Sequence, residues 1–147
     1  MLRFTKRADY GLMAIHYIAI HDEGAVSAKR IAEEFSIPQE LLAKILQRLA
    51  KRKLIRSVNG PKGGYVLARS AREITVGQVL RAIEGPTSIV HCYQTQYQCP
   101  QLERCNIRKP MRTIQASIEQ LLDTMSLDEM NGFGAVTLTA AAAGTPS

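Results

Sequence analysis

No apolar run in the sequence reaches the ~20 residues that a membrane span requires, so a soluble chain with no membrane partner is expected. Cysteine is scarce, and all three residues, Cys92, Cys99 and Cys105, crowd into one short stretch. A disulfide framework would leave one thiol over, and a reducing, cytoplasmic setting fits better. No Gly-Lys-Ser/Thr follows the glycine-rich stretch at 59–64, which sets aside a phosphate loop, and the Cys-x-x-Cys pairs usual in zinc sites are missing. A Ser/His/Asp or Cys/His signature that would supply nucleophile, base and orienting group is also lacking, so an enzyme is not expected. No segment repeats. The opening segment, basic and then apolar over 12–20, imitates a secretory leader. His16 interrupts it, however, and Asp22 and Glu23 precede any cleavage-like alanine, so it reads as a helix of the folded protein.

What is present is a core and an uneven charge. Apolar residues make up 46% of the 147, enough for one domain of ordinary size plus a dimerisation element. Residues 1–75 hold 14 Lys/Arg against 7 Asp/Glu, whereas residues 76–147 hold 5 against 6. The basic half attracts polyanions, although such a surface also suits anionic membranes or plain solubility.

Patterning divides the chain further. Thr5 is placed to cap a helix over about 6–21, with Met13, Tyr17 and Ile20, beside Ala14 and Ile18, as its buried stripe. Ser27 caps a short helix to Phe35, Ser36-Ile37-Pro38 breaks the chain, and a longer helix follows over about 39–52. There Leu41, Leu42, Ile45, Leu46 and Leu49 form an apolar side. The opposite side is polar, which is the helix-turn-helix arrangement. Two short strands around the 59–64 turn make a wing. Thr75 and Gln78 form a capping box for a helix ending at Gly85-Pro86. Residues 87–106 show no period. Met111, Ile114, Ile118, Leu121, Leu122 and Met125 then recur at helical spacing, a stripe that needs a partner.

The expected architecture is mainly α: a winged helix-turn-helix DNA-binding domain over 1–85 with a two-stranded β-wing, a cysteine-bearing loop over 86–106, a long C-terminal dimerisation helix with a terminal turn over 107–130, and a loose tail over 131–147. In such a motif the recognition helix enters the major groove by its N-terminal residues. Pro38, Gln39, Glu40 and Lys44 would face the groove, Arg48 and Lys51 would lie nearer phosphate, and Asn59 with Lys62 would tip the wing. The competing reading is a winged helix used for protein contacts; basic charge on the docking elements favours DNA.

The cysteines, separated by six and five residues, can converge on one metal centre, with Arg104, Arg108 and Lys109 and the following helix N-terminus stabilising thiolate charge. Spacing alone leaves an iron-sulfur cluster, zinc, redox thiols and three unliganded cysteines open. For a fourth ligand the candidates are His91, Asp9 and a group from a second subunit. Asp9 has an ordinary alternative role near a helix N-terminus, as His91 does in a polar loop.

Several runs together carry a resemblance: 5–12, the wing segment 60–65, the helix start 74–79 and the three spaced cysteines. Over about residues 2–130 the chain resembles the IscR/NsrR/RirA family of winged-helix regulators. The resemblance implies a homodimeric repressor or activator bound to pseudo-palindromic double-stranded promoter DNA. It further implies a 2Fe-2S or 4Fe-4S cluster held by Cys92, Cys99 and Cys105, answering to nitric oxide, iron, redox state or cluster supply. In the IscR branch the fourth ligand is a histidine three residues beyond the last cysteine, and Arg108 stands there. In the NsrR branch it is an aspartate of the other subunit near the start of the first helix, where Asp9 matches, which favours 4Fe-4S. Pro38, Gln39 and Glu40 differ from the IscR branch, so an IscR operator is not assumed. The runner-up is a cluster-free thiol- or zinc-based winged-helix regulator.

Overall fold

The computed structural model describes residues 3–90, 92 and 98–131. Helix α1 (Lys6–Ile20) starts where expected, because the Thr5 hydroxyl accepts the Ala8 amide, one of the donors that a first turn leaves without an intrahelical partner. Ser27 serves α2 (Ala28–Phe35) in the same way through the Arg30 amide. The chain then turns at Ser36, which takes the left-handed conformation (φ 53°), and Ile37 donates back to the Ala32 carbonyl. Pro38 occupies the cap position of α3 (Gln39–Lys51), where its missing N–H costs nothing.

The core forms where α1, α2, α3 and the following elements meet. Leu42, Ile45, Leu46 and Leu49 of α3 pack with Ile15 and Ile18 of α1, Ile31 of α2, and Leu54 and Ile55 beyond α3. Burying each such side chain is worth about 1.5–3 kcal/mol. Leu41 is only half-buried. On α1 the expected stripe is corrected: Ala14, Tyr17 and Ile18 are buried, but Met13 is 40% and Ile20 47% exposed. They lie seven positions apart on the face turned away from α3, so an apolar period on α1 belongs partly to a surface that the described residues leave uncovered.

Strands β1 (Ile55–Val58) and β2 (Gly64–Leu67) pair antiparallel, Ile55 opposite Leu67 and Val58 opposite Gly64. This wing is tied to the body by Val26, which exchanges backbone hydrogen bonds with Tyr65 at 2.9 and 2.8 Å. Glycine is required at 64: a Cβ there would lie 2.4 Å from the Val26 carbonyl oxygen.

Helix α4 (Val76–Glu84) opens with the expected Thr75/Gln78 capping box and ends at Gly85. After the cysteine-bearing segment come α5 (Arg108–Thr124) and α6 (Leu127–Asn131). Leu127 is fully buried in the main core, and its amide donates to the Ile74 carbonyl. The C-terminal helical turn is thereby fastened onto the winged-helix body. On α5, Leu122, with Met125 just beyond the helix, packs toward Val76 and Leu80, while Arg81 pairs with Asp123 at 2.6 Å. Ile107, Ile114 and Leu121, seven residues apart, are left 54%, 44% and 59% exposed. Among the described residues no helix is long and apolar enough to cross a membrane.

Candidate functional site

Two regions hold the residues singled out from the sequence. The first is the outer face of α3 with the wing. Because the buried positions 42, 45, 46 and 49 lock one side of α3 to the core, the opposite row of Glu40, Lys44, Gln47 and Lys51 is exposed. Pro38 and Gln39 are exposed at its start. Asn59 and Lys62 are exposed at the tip of the wing, whose second strand is held near the turn by the Val26–Tyr65 bridge. Polar groups therefore stand on a rigid helix and a tethered hairpin, both free of side-chain cover.

Arg48 behaves differently from its neighbours. It sits on the flank of α3 toward α4, and its Nη1 donates to the Ile83 carbonyl at 2.5 Å. Residues not singled out beforehand add positive charge nearby: Lys53, Arg56 and Arg69 line a cavity of about 570 Å³ between the end of α3 and the wing strands. The dense basic run over 51–56 was a sequence signal for Lys53 and Arg56, though not for Arg69. Which of its members would share a cavity depended on the wing folding back.

The second region is the cysteine-bearing segment. Cys92, Cys99 and Cys105 are free thiols, each half-exposed, and Cys99 Sγ donates to Gln101 Oε1 at 3.6 Å. Among the described residues no three Cys, His, Asp or Glu side chains are gathered closely enough to hold a metal ion. His91 lies outside the described residues, as does the tail from 132. Asp9 is half-buried in the first turn of α1 and lines a cavity of about 650 Å³ with Arg3, Phe4, Thr5 and Lys6. It shares the outward face of α1 with the exposed Met13 and Ile20. As donor chemistry, three soft thiols on one segment fit a cysteine-ligated cluster, and a carboxylate can complete such a set.

Sequence reading missed the residue that holds the start of this segment. Gln115 of α5, only 8% exposed, accepts the Ile89 amide at 2.9 Å and donates to the Thr87 carbonyl at 2.7 Å. Its Nε2 also reaches Glu119 at 2.7 Å. A buried amide with every group satisfied is a specific clamp. A lone polar residue on the buried side of a helical stripe was the available signal.

The profile of the Rrf2 family, described as an iron-dependent transcriptional regulator, matches residues 4–131. The HTH-type transcriptional regulator IscR of Pectobacterium carotovorum subsp. carotovorum (strain PC1) is 34% identical over 130 residues, covering 88% of this chain and 79% of that protein. The structure of CymR (YrzC), the global cysteine regulator of B. subtilis, aligns with a TM-score of 0.74 at 28% identity, covering 90% of this chain and 98% of that one. The T. potens IscR structure aligns with a TM-score of 0.69 at 30% identity, covering 99% and 93%.

Proposed function

The chain belongs to the Rrf2 family of transcriptional regulators, and on that premise we propose a homodimeric, cytoplasmic regulator that reads promoter DNA through α3 and the wing under the control of an iron-sulfur cluster. The observation that carries the DNA-reading part is the bare polar row of α3, set by four buried residues behind it. Pro38, Gln39, Glu40 and Lys44 meet base edges, Lys51 meets phosphate, and Asn59 with Lys62 reaches backbone or minor groove. The excess of 14 Lys/Arg over 7 Asp/Glu in residues 1–75 supplies the sequence-independent attraction.

Dimerisation is supported by the exposed ridge of Ile107, Ile114 and Leu121. A seven-residue apolar repeat is self-complementary when two copies pack along it, and a two-fold pair then presents two α3 helices to two half-sites.

For the sensor, Cys92, Cys99 and Cys105 of one protomer and the partner's Asp9 are the assigned ligands, a 4Fe-4S set by preference and 2Fe-2S as the variant. Support comes from Asp9 facing outward beside Met13 and Ile20, with the cations of Arg3 and Lys6 around it to offset thiolate charge. When bound, the cluster supplies a reactive iron whose weakest ligand is the carboxylate. The protein's own part is mechanical. Gln115 ties the root of the segment to α5, so ordering the cysteines also constrains the dimer helix.

Anaerobic purification followed by absorbance, iron and sulfide assays tests this reading. Cys99→Ala should abolish the chromophore, whereas Asp9→Ala should keep fold and dimer but give a labile one. Colourless, iron-free protein from iron-replete cells would overturn it. The second reading, a cluster-free thiol- or zinc-based regulator, is favoured in its thiol form by the likeness to the structure of CymR, described as the global cysteine regulator of B. subtilis. It requires DNA affinity that changes on thiol oxidation or zinc removal in iron-free protein.

A further inference from the structure

Arg48 is exposed like the row of Glu40, Lys44, Gln47 and Lys51, but it stands on the flank of α3 toward α4, where its Nη1 donates to the Ile83 carbonyl at 2.5 Å. That carbonyl is one of the last four of α4, which have no intrahelical partner, and it stands at the negative end of the helix dipole, where a guanidinium is favoured. The acceptor is unusually well fixed. The Ile83 side chain is 1% exposed and wedged against α1 at Gly11, where a Cβ would come 1.9 Å from Ile83 Cδ1 and 3.4 Å from Ile45 Cγ2 of α3. Glu84, the next residue, is bound by the Thr5 hydroxyl and by Arg7 at 3.3 Å, both at the start of α1. The last turn of α4 is therefore anchored from two sides before Arg48 reaches it.

We propose that Arg48 is a positioning residue of the DNA interface and not a phosphate contact: its bond to the Ile83 carbonyl sets how α3 lies against α4, and so where Gln39, Glu40 and Lys44 stand in the groove. The inference rests on the DNA-binding reading above. The two roles differ physically. A phosphate contact strengthens binding to every duplex alike and releases counterions, adding about 0.9 to the slope of log K against log[salt]. A residue that sets the pitch of the reading helix acts only where base edges are read, and releases none.

The test compares Arg48→Met, which keeps the aliphatic stem and loses the donor, with Lys51→Ala as the phosphate-contact control. Both are titrated across a salt series on a duplex that the wild-type protein selects from a random-sequence library, and on a random duplex of equal length. Arg48→Met should lose about tenfold in affinity for the selected duplex, with the random duplex and the salt slope unchanged. Lys51→Ala should weaken both duplexes and lower the slope by about 0.9. If the methionine variant aggregates, Arg48→Gln, which also lacks the charge and the reach, must give the same pattern. Equal loss on both duplexes with a lowered slope returns Arg48 to phosphate and overturns the proposal while the DNA-binding reading stands; so does unchanged affinity on both. A wild-type protein that selects no duplex overturns the DNA-binding reading itself, and this inference with it.

Discussion

Helices α3 and α5 are both amphipathic in sequence, yet α3 buries Leu42, Ile45, Leu46 and Leu49, whereas among the described residues of α5 Gln115 alone is buried. The apolar side of α3 meets α1, α2 and β1 of its own protomer. That of α5 meets α4 along one edge, and leaves Ile114 and Leu121 to solvent. An apolar period thus states that a face wants cover and is silent about whose. The winged-helix half covers the apolar side of its α3, whereas the half that follows the cysteines leaves an apolar ridge on α5 exposed.

The contrast is broken most forcefully from the α3 side. Leu46→Ala should cost about 2–5 kcal/mol of stability, since a fully buried leucine leaves a cavity that a rigid core closes only in part. Urea unfolding measures it, and a loss below about 1 kcal/mol would mean that the α3 core is looser than its burial indicates. On the α5 side, Ile118→Glu should leave the winged-helix fold intact by circular dichroism while halving the mass in light scattering. A dimer of unchanged mass would place the seam elsewhere.

Gln115→Ala tests whether the one buried position of α5 serves the cysteine segment. Removing both partners of the Ile89 amide and Thr87 carbonyl should cost about 1–3 kcal/mol. It should also speed amide exchange at 87–89 before anything changes in α3. Uniform destabilisation of the whole chain would contradict a local clamp. The smallest effect is expected at Thr75→Ala, about 1 kcal/mol from one lost N-cap. Here the two halves meet, because Val76 N donates to the Met125 carbonyl. A much larger loss would show that the cap also secures α6.

Helix starts were readable because capping is local: Thr5, Ser27 and the Thr75/Gln78 box are written within four residues of the amides they serve. The wing was readable for the same reason, through the turn chemistry of 59–64. Met13 and Ile20 were misread as core because a helical period does not say whether the face it marks is covered within the fold. The partners of Arg48 and Gln115 were beyond reach on other grounds. Those groups, Ile83 and the 87–89 backbone, lie 35 and 26–28 positions away, and nothing in either segment marks the pairing.

By itself the sequence determined the order and ends of the elements, the polar and apolar sides of α3, the basic bias of the first half and the presence of three thiols on one segment. Those are consequences of dihedral preference, side-chain periodicity and charge, which act over a few residues. Only the tertiary structure decided that Leu127 returns to the first core, that Arg48 turns to the end of α4, that Gln115 grips the cysteine segment and that Asp9 shares an uncovered face with Met13 and Ile20. Each depends on where a distant backbone carbonyl or an unfilled surface comes to rest, and that is settled by how whole helices pack against one another.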